Sequence, residues 1–236
     1  MKMFLNLLFL FLGLSSFAQK QFVFDEYATL RTLSQPFTSI KVNSAIQLYL
    51  TYSENIVMAI STGSGKQNDA VKSTIENGEL TIYYQGANNY NAKAPITVYL
   101  GYNSLTNIEC TDAATLAVVG VLALPTLHIR LSGASSFKGN VDVGALTVRC
   151  TGASNMQLKG RANNMVVDCT GASDLLGYDC LADTAIVKTS GASDVKLSVG
   201  KILTAVASGA STIYYKGSPI LGDTKSNGAS TIAKKD

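Results

Sequence analysis

The stretch Val148-Arg149-Cys150-Thr151-Gly152-Ala153-Ser154-Asn155-Met156 recurs in pattern nineteen residues later as Val167-Asp168-Cys169-Thr170-Gly171-Ala172-Ser173-Asp174-Leu175. Its Gly-Ala-Ser triplet occurs six times at spacings of 18 to 20 residues. A period near 20 residues in a chain rich in β-forming residues indicates a solenoid. Glycine adopts positive φ without strain, so each triplet predicts a corner of one coil. The predicted corner glycines are Gly133, Gly152, Gly171, Gly191, Gly209 and Gly228.

Apolar and polar residues alternate on both sides of each triplet. In the second copy, Val148 and Cys150 precede the glycine with Arg149 between them, and Met156 follows it. A period of two is that of a strand with one buried face, and the small alanine of the triplet is expected to form a tight inward corner. An earlier, degenerate copy is visible at residues 110–114, where Asp112 takes the glycine position.

These patterns predict an all-β fold, a parallel β-helix of about 19-residue coils. Successive coils would stack at ~4.8 Å, so that equivalent residues form columns. The variable coil length and the usual hand of parallel crossovers favour a right-handed helix.

The N-terminal part of the chain predicts a different organisation. Residues 19–35 form a lead-in segment, residues 36–103 a strand region that caps the solenoid, and residues 104–236 the β-helix, although 36–236 is also compatible with one continuous domain. Asn77-Gly78 joins two runs of β-forming residues, which predicts a β-hairpin with a type I′ turn. The one helix candidate is the segment from Lys66 to Ser73.

Residues 1–18 have the features of a secretory signal peptide. Lys2 precedes an apolar run from Phe4 to Leu14, and Ser16-Phe17-Ala18 fits a cleavage site. The alternative, a membrane anchor, requires about 20 apolar residues, and no later stretch of the sequence supplies them either. The mature chain is therefore predicted to be exported, without a transmembrane segment, to the periplasm, the cell surface or the medium.

Charge and cysteine content exclude some classes of function. The formal net charge of +3 is too small to indicate a nucleic-acid-binding protein. One histidine and four cysteines without a C-x-x-C pair argue against a zinc site. Cys150 and Cys169 share a column one coil apart, which allows either a disulfide or two buried thiols.

The chain resembles a known family in its repeats and its hairpin. The Asn-Gly-x-Leu-x-Ile hairpin, with Asn77, Gly78, Leu80 and Ile82, followed by repeated Ser/Thr-Gly-Ala-Ser coils, resembles the putative auto-transporter adhesin head GIN domain family. The resemblance covers about residue 37 to the C-terminus. It implies a β-helical, exported bacterial protein of the kind common in Bacteroidetes, and it implies no catalytic residues.

Two sets of residues are candidates for ligand contact. Asp174 and Asp194 share an outward column one coil apart, and such a carboxylate pair is a candidate for a weak calcium site. Tyr214 and Tyr215 are candidates for stacking on sugar rings. The serine column of the triplets predicts hydroxyls that satisfy corner backbone groups, or alternatively a regular hydrogen-bonding face. No cofactor is predicted, and no residue is assigned a catalytic role.

Three functions are compatible with these features. The first is a non-catalytic exported β-helix that acts as an adhesin, a ligand-binding protein or an envelope structural module, with a glycan or a matrix protein as partner. The second is a lyase-like enzyme that processes polysaccharides, although the short coils lack the long loops that would build a cleft. The third is a self-assembling envelope subunit, which would form homo-oligomers.

Overall fold

The computed structural model describes residues 26–86 and 95–236. The signal-peptide prediction for residues 1–18 and part of the predicted loop around Tyr90 lie outside these ranges. Within the described residues, regular structure is β-strand except for one 3-10 turn at Asn68–Ala70. The prediction of an all-β chain is therefore confirmed.

Sixteen strands within the described ranges form one continuous sheet. The shorter strands near the N-terminus are β1 (Thr29–Arg31), β2 (Ser39–Val42), β3 (Ile46–Tyr52), β4 (Met58–Ser61), β5 (Val71–Glu76), β6 (Glu79–Tyr84), β7 (Ile96–Tyr102) and β8 (Asn107–Cys110). The remaining strands are β9 (Thr115–Leu131), β10 (Ser136–Cys150), β11 (Asn155–Cys169), β12 (Asp174–Thr189), β13 (Asp194–Gly209), β14 (Thr212–Lys216), β15 (Ile220–Gly228) and β16 (Thr231–Lys234).

The long strands stack in parallel, with equivalent residues of successive coils in register. Cys150 of β10 pairs with Cys169 of β11, and Val148 pairs with Val167. The result is a parallel β-solenoid of about 7 turns with a spacing of ~19 residues. The predicted fold class and coil length are confirmed, whereas the right-handed sense stays a prediction.

The corners explain why the repeat needs glycine. Gly152 has φ +75°, and a Cβ atom there would lie 2.7 Å from the carbonyl oxygen of Gly133 in the coil below. Each corner rests on the previous corner, so the glycine provides both the left-handed backbone and the space for close stacking. Asp112 precedes Gly133 in this column with φ 59°, which agrees with its predicted place in the degenerate copy, and Ser44 has φ 67° at the equivalent position one coil earlier.

The residue that faces inward at the corner is the serine of each triplet. The prediction that the alanine forms the inward corner is wrong, because Ala153 and Ala172 are exposed. The left-handed glycine turns the chain so that the second residue after it enters the interior. The buried corner serines are Ser135, Ser154, Ser173, Ser193 and Ser211.

The N-terminal strands belong to the same stack. The predicted hairpin is present as the antiparallel pair β5–β6, with positive φ at both Asn77 and Gly78. The predicted helix from Lys66 to Ser73 is wrong: it is a single 3-10 turn followed by β5, whose backbone pairs with β6. Strands β2 and β3 pair in parallel with β8 and β9, so coil stacking extends back to residue 39.

Candidate functional site

A groove of about 450 Å³ lies on the outer face of the sheet where β6, β2, β8, β9 and β10 lie side by side. Its volume is within the range of sites that hold small ligands. The backbone at Ile40, Ile108 and Ile129, whose side chains are buried in the core, forms the floor, and polar side chains form the walls. We call it the Arg130 groove; its polar lining is Ser39, Glu79, Asn107, Glu109, His128, Arg130, Thr147 and Arg149.

Two outward columns of the solenoid supply this polar lining. His128 of β9 is in register with Asn107 of β8 and Thr147 of β10. Two residues further along β9, Arg130 stands between residues of the same two strands in a second column. Because side chains alternate along a strand, His128 and Arg130 project from the same face of β9. Parallel stacking thus brings together residues that are far apart in sequence.

Arg130 lies between two ion pairs in the second column. On one side, Lys41 Nζ lies 2.9 Å from Glu109 Oε1, and this hydrogen bond raises the pKa of Lys41. On the other side, Arg149 Nε lies 3.6 Å from Asp168 Oδ2. No ion pair involves Arg130 within residues 26–86 and 95–236. Glu109, the residue opposite Arg130 on β8, is paired with Lys41, so the guanidinium of Arg130 has no carboxylate within 4 Å among the described residues.

Hydrogen bonds hold one wall and leave the middle of the groove accessible. Asn107 Nδ2 donates to Ser39 Oγ at 2.9 Å and to Thr106 Oγ1 at 3.0 Å, which fixes the amide. The backbone N–H of His128 donates to the carbonyl oxygen of Thr106 at 2.8 Å, which fixes the start of the wall. These contacts order the groove before any ligand arrives.

The two aspartates predicted from the sequence lie where the repeat places them. Asp174 of β12 is in register with Asp194 of β13, and both are exposed. Asn155 and Thr212 flank them in the same column. Across the part of the chain that the structure describes, no group of three or more His, Cys, Asp or Glu residues could hold a metal ion. Calcium binding at this pair stays a prediction that two carboxylates alone support.

The structure separates the two candidate tyrosines. Tyr214 faces outward, and Lys235 Nζ lies 4.3 Å from the centre of its ring. Tyr215 faces inward, is 9 % exposed and belongs to the hydrophobic core. The prediction that Tyr215 stacks on a sugar does not fit this position, because adjacent residues of a strand point to opposite faces. Tyr214 alone remains a surface candidate.

The cysteines are buried thiols in the column that the repeat predicts. All four are free, and Cys150 and Cys169 are direct neighbours on β10 and β11. The hydrogen bond that the Cys169 thiol donates to Cys150, and then burial, hold the pKa of Cys169 far above its usual value. Burial raises the pKa of Cys110 to about 12 and that of Cys180 to about 11. None of these properties is that of a reactive, exposed thiol.

Sequence reasoning did not find the Arg130 groove. The alignment of the triplets places Arg130, Arg149, Asp168 and Lys188 in one outward column, and the structure confirms this register. The alignment does not show that Ser39, Glu79 and Asn107 lie beside these residues, because all three precede the recognisable repeats. The available signal was the lone His128, two residues before Arg130 and on the same face.

A parallel β-solenoid with short corners and an open lateral groove defines the structural class. Residues 36–219 match the family described as "Putative auto-transporter adhesin, head GIN domain". The chain belongs to this family, and the resemblance predicted from the hairpin and the repeats is confirmed.

Solved structures of similar fold include proteins from Bacteroides and Parabacteroides species. A putative adhesin from Bacteroides fragilis is 17 % identical, with a TM-score of 0.80 over 89 % of this chain and 98 % of that chain. A putative lipid binding protein from Parabacteroides distasonis is 14 % identical, with a TM-score of 0.69 over 89 % and 96 %. A putative adhesin from Parabacteroides merdae is 18 % identical, with a TM-score of 0.64 over 89 % and 95 %. At these identities the likeness shows the fold alone.

None of the curated proteins compared with this chain matches it. Among the described residues, no helix has the length and apolar character needed to cross a membrane.

Proposed function

We propose that this protein is an exported, non-catalytic binding module that holds an extracellular or envelope ligand on the lateral face of its solenoid. Membership of an adhesin-named family supports this function, and the signal-peptide pattern of residues 1–18 supports export. The observation that carries the proposal is the Arg130 groove, in which the exposed side chains of Arg130 and His128 project from a rigid surface and are accessible to a ligand.

The rigidity of this surface follows from the stacking of the coils. Each outward side chain is anchored to a strand that is hydrogen-bonded to a neighbour on both sides. A pre-ordered surface loses little conformational entropy when a ligand binds, which favours recognition without rearrangement. The groove is also open along the solenoid, so it can accept an extended ligand such as a glycan chain.

An array of glycans and matrix proteins tests the proposal directly. Native residues 19–236 are compared with Arg130→Gln and with Lys196→Gln, which removes one positive charge from a strand segment outside the groove. We expect reproducible binding that Arg130→Gln weakens and Lys196→Gln leaves unchanged. A blank array with folded native protein would contradict the proposal.

A second candidate ligand is an amphiphile with an aliphatic part. The outward column that contains His128 and Thr147 continues with Val166 and Ile186, which are 41 % and 42 % exposed. One of the similar solved structures is titled a putative lipid binding protein. Displacement of a fluorescent fatty acid, measured for native protein and for Val166→Thr, tests this candidate. Unchanged displacement in the variant would count against it.

A further inference from the structure

Arg130 and Arg149 are two positively charged residues in directly opposite positions on β9 and β10, and both line the groove. The two residues are in register on adjacent parallel strands, so their Cα atoms lie about 4.8 Å apart. Like charges in directly opposite positions destabilise a sheet. Elsewhere in this column the signs alternate, as in the pair of Lys41 with Glu109 and the pair of Arg149 with Asp168. Arg130 stands opposite Glu109 on β8 and opposite Arg149 on β10, and the second of these pairs breaks the alternation inside the groove.

Most donor atoms of the two arginines are not used by the ion pairs of the column. A guanidinium carries five N–H donors, and the ion pair of Arg149 with Asp168 runs through Nε. Arg130 makes no side-chain hydrogen bond to any described residue. Two planar donor groups therefore stand one strand apart at the same wall of the groove. This is the arrangement that a bridging carboxylate or sulfate satisfies, because both accept paired N–H donors.

The remaining lining favours an anion that is part of a hydroxyl-rich chain. Thr147 and His128 stand in the neighbouring column and offer hydrogen-bonding groups for neutral polar atoms. Glu79 and Glu109 line the same groove and would repel a densely charged polymer. A ligand with widely spaced anionic groups and many hydroxyls meets both conditions, and an acidic glycan has that chemistry.

We propose that the Arg130 groove is a binding site for an acidic glycan, with Arg130 and Arg149 bridged by one of its carboxylate or sulfate groups. The site deepens the proposed function and rests on it. The anion neutralises the repulsion between the two arginines. Relief of this repulsion, which is present in the free protein, therefore contributes to the free energy of binding. Sugar hydroxyls of the same chain contact Thr147 and His128.

Isothermal titration with matched oligosaccharides tests the proposed ligand class. The carboxylate probe is an oligogalacturonate, and its neutral control is the same oligomer as the methyl ester. The sulfate probe is a lightly substituted dextran sulfate, with dextran as its control. We expect the native chain to bind at least one anionic probe and to bind the matching neutral probe at least ten-fold more weakly.

The variants separate a binding role from a structural one. Arg130→Gln is expected to weaken binding of the anionic probe at least ten-fold, while Lys196→Gln, which makes the same change of charge outside the groove, changes binding less than two-fold. The urea midpoint of Arg130→Gln is expected to change little, because the substitution removes both the repulsion by Arg149 and the attraction to Glu109, the residue opposite Arg130 on β8. A fall in that midpoint would mean that Arg130 stabilises the fold, and it would overturn the inference.

The remaining outcomes distinguish this inference from the proposed function. Equal binding of neutral and anionic probes, or unchanged binding in Arg130→Gln, would overturn the acidic-glycan site while leaving a binding module in place. Binding of protein ligands alone on the array would do the same. If neither the oligosaccharides nor the array gives binding, both the inference and the proposed function fail. Binding of the sulfate probe alone or of the carboxylate probe alone supports the site and identifies its anion.

Discussion

Replacing Ser211 by alanine should destabilise the solenoid, whereas the same substitution at Ser154 should not. The two serines occupy the same inward corner position of different coils, and both are at most 1 % exposed. They differ in their hydrogen bonds. Ser211 Oγ donates to the carbonyl oxygen of Ser208 at 2.8 Å and lies 2.9 Å from Thr189 Oγ1. Ser154 Oγ is the one buried side-chain polar atom of the described residues that has no hydrogen-bond partner.

The expected magnitudes follow from these contacts. Each hydrogen bond of Ser211 contributes about 1 kcal/mol net, and a buried group left without its partner costs about 1–3 kcal/mol. Thr189 is 3 % exposed, so its hydroxyl would be such a group. Ser211→Ala should therefore cost about 2–4 kcal/mol. At Ser154 the substitution removes an unsatisfied oxygen, and that gain offsets the small void, so we expect a change between zero and about 1 kcal/mol of stabilisation.

Urea unfolding followed by far-ultraviolet circular dichroism measures both variants against the native chain. The slope of the free energy of unfolding against urea should be unchanged, because the exposed surface is the same. A single transition must be verified first, since stacked repeats can lose cooperativity. Equal destabilisation by the two substitutions would refute the argument, because it would show that the hydrogen bonds of Ser211 do not set its contribution.

Two further properties of the solenoid can be tested in the same way. Gly171 has φ +83°, and a Cβ atom there would lie 2.6 Å from the carbonyl oxygen of Gly152, so Gly171→Ala should lower the free energy of unfolding by more than about 3 kcal/mol. Gly200→Ala is the control, because the atom nearest to its Cβ would be 3.8 Å away, and it should change the urea midpoint little. Burial raises the pKa of Cys110 from 9.0 to about 12 and that of Cys180 to about 11, so the contribution of these two thiols to the free energy of unfolding should be constant well below pH 9 and should fall as the pH rises towards 12. Urea midpoints of Cys110→Ala and Cys180→Ala at pH 8 and pH 10 check the second point: removing these thiols should weaken the pH dependence, and an unchanged dependence would contradict it.

The coil length and the corners could be predicted from sequence because they depend on local, repeated constraints. A corner that rests on the carbonyl oxygen below it accepts no side chain, so glycine recurs at each turn, as Gly152 on Gly133 shows. The hairpin was predictable for the same reason, because Asn77 and Gly78 both adopt the positive φ of its turn.

The direction of the residues next to the corner could not be predicted in this way. Small size predicts that the alanine lies inside, but the turn made by the left-handed glycine places the serine there instead. The buried serine then satisfies corner carbonyl groups, as Ser193 Oγ does for Ser190 at 3.0 Å. The backbone conformation of the glycine, rather than side-chain size, explains which of the two residues enters the interior.

The Arg130 groove depends on contacts between segments that share no repeat. Ser39 and Asn107 are adjacent only because β2 stacks on β8, and no triplet marks that coil. The alternation of charge in the outward column could be predicted for Arg149 and Asp168, and the ion pair between them is present. The repeat does not reveal which residues lie beside Arg130 on the side of β8.

The departure from charge alternation is the reason to look for function at this point of the solenoid. Inward positions are constrained by packing, and corner positions by backbone stacking, so neither is free to serve a ligand. An outward column is constrained only by its neighbours, and alternating charges such as Lys41 and Glu109 satisfy that constraint. Most residues of a natural sequence favour its fold, and residues that do not favour it are expected where function requires them. The adjacent guanidinium groups of Arg130 and Arg149 are such a departure, and an anion held between them would restore the alternation that the free protein lacks.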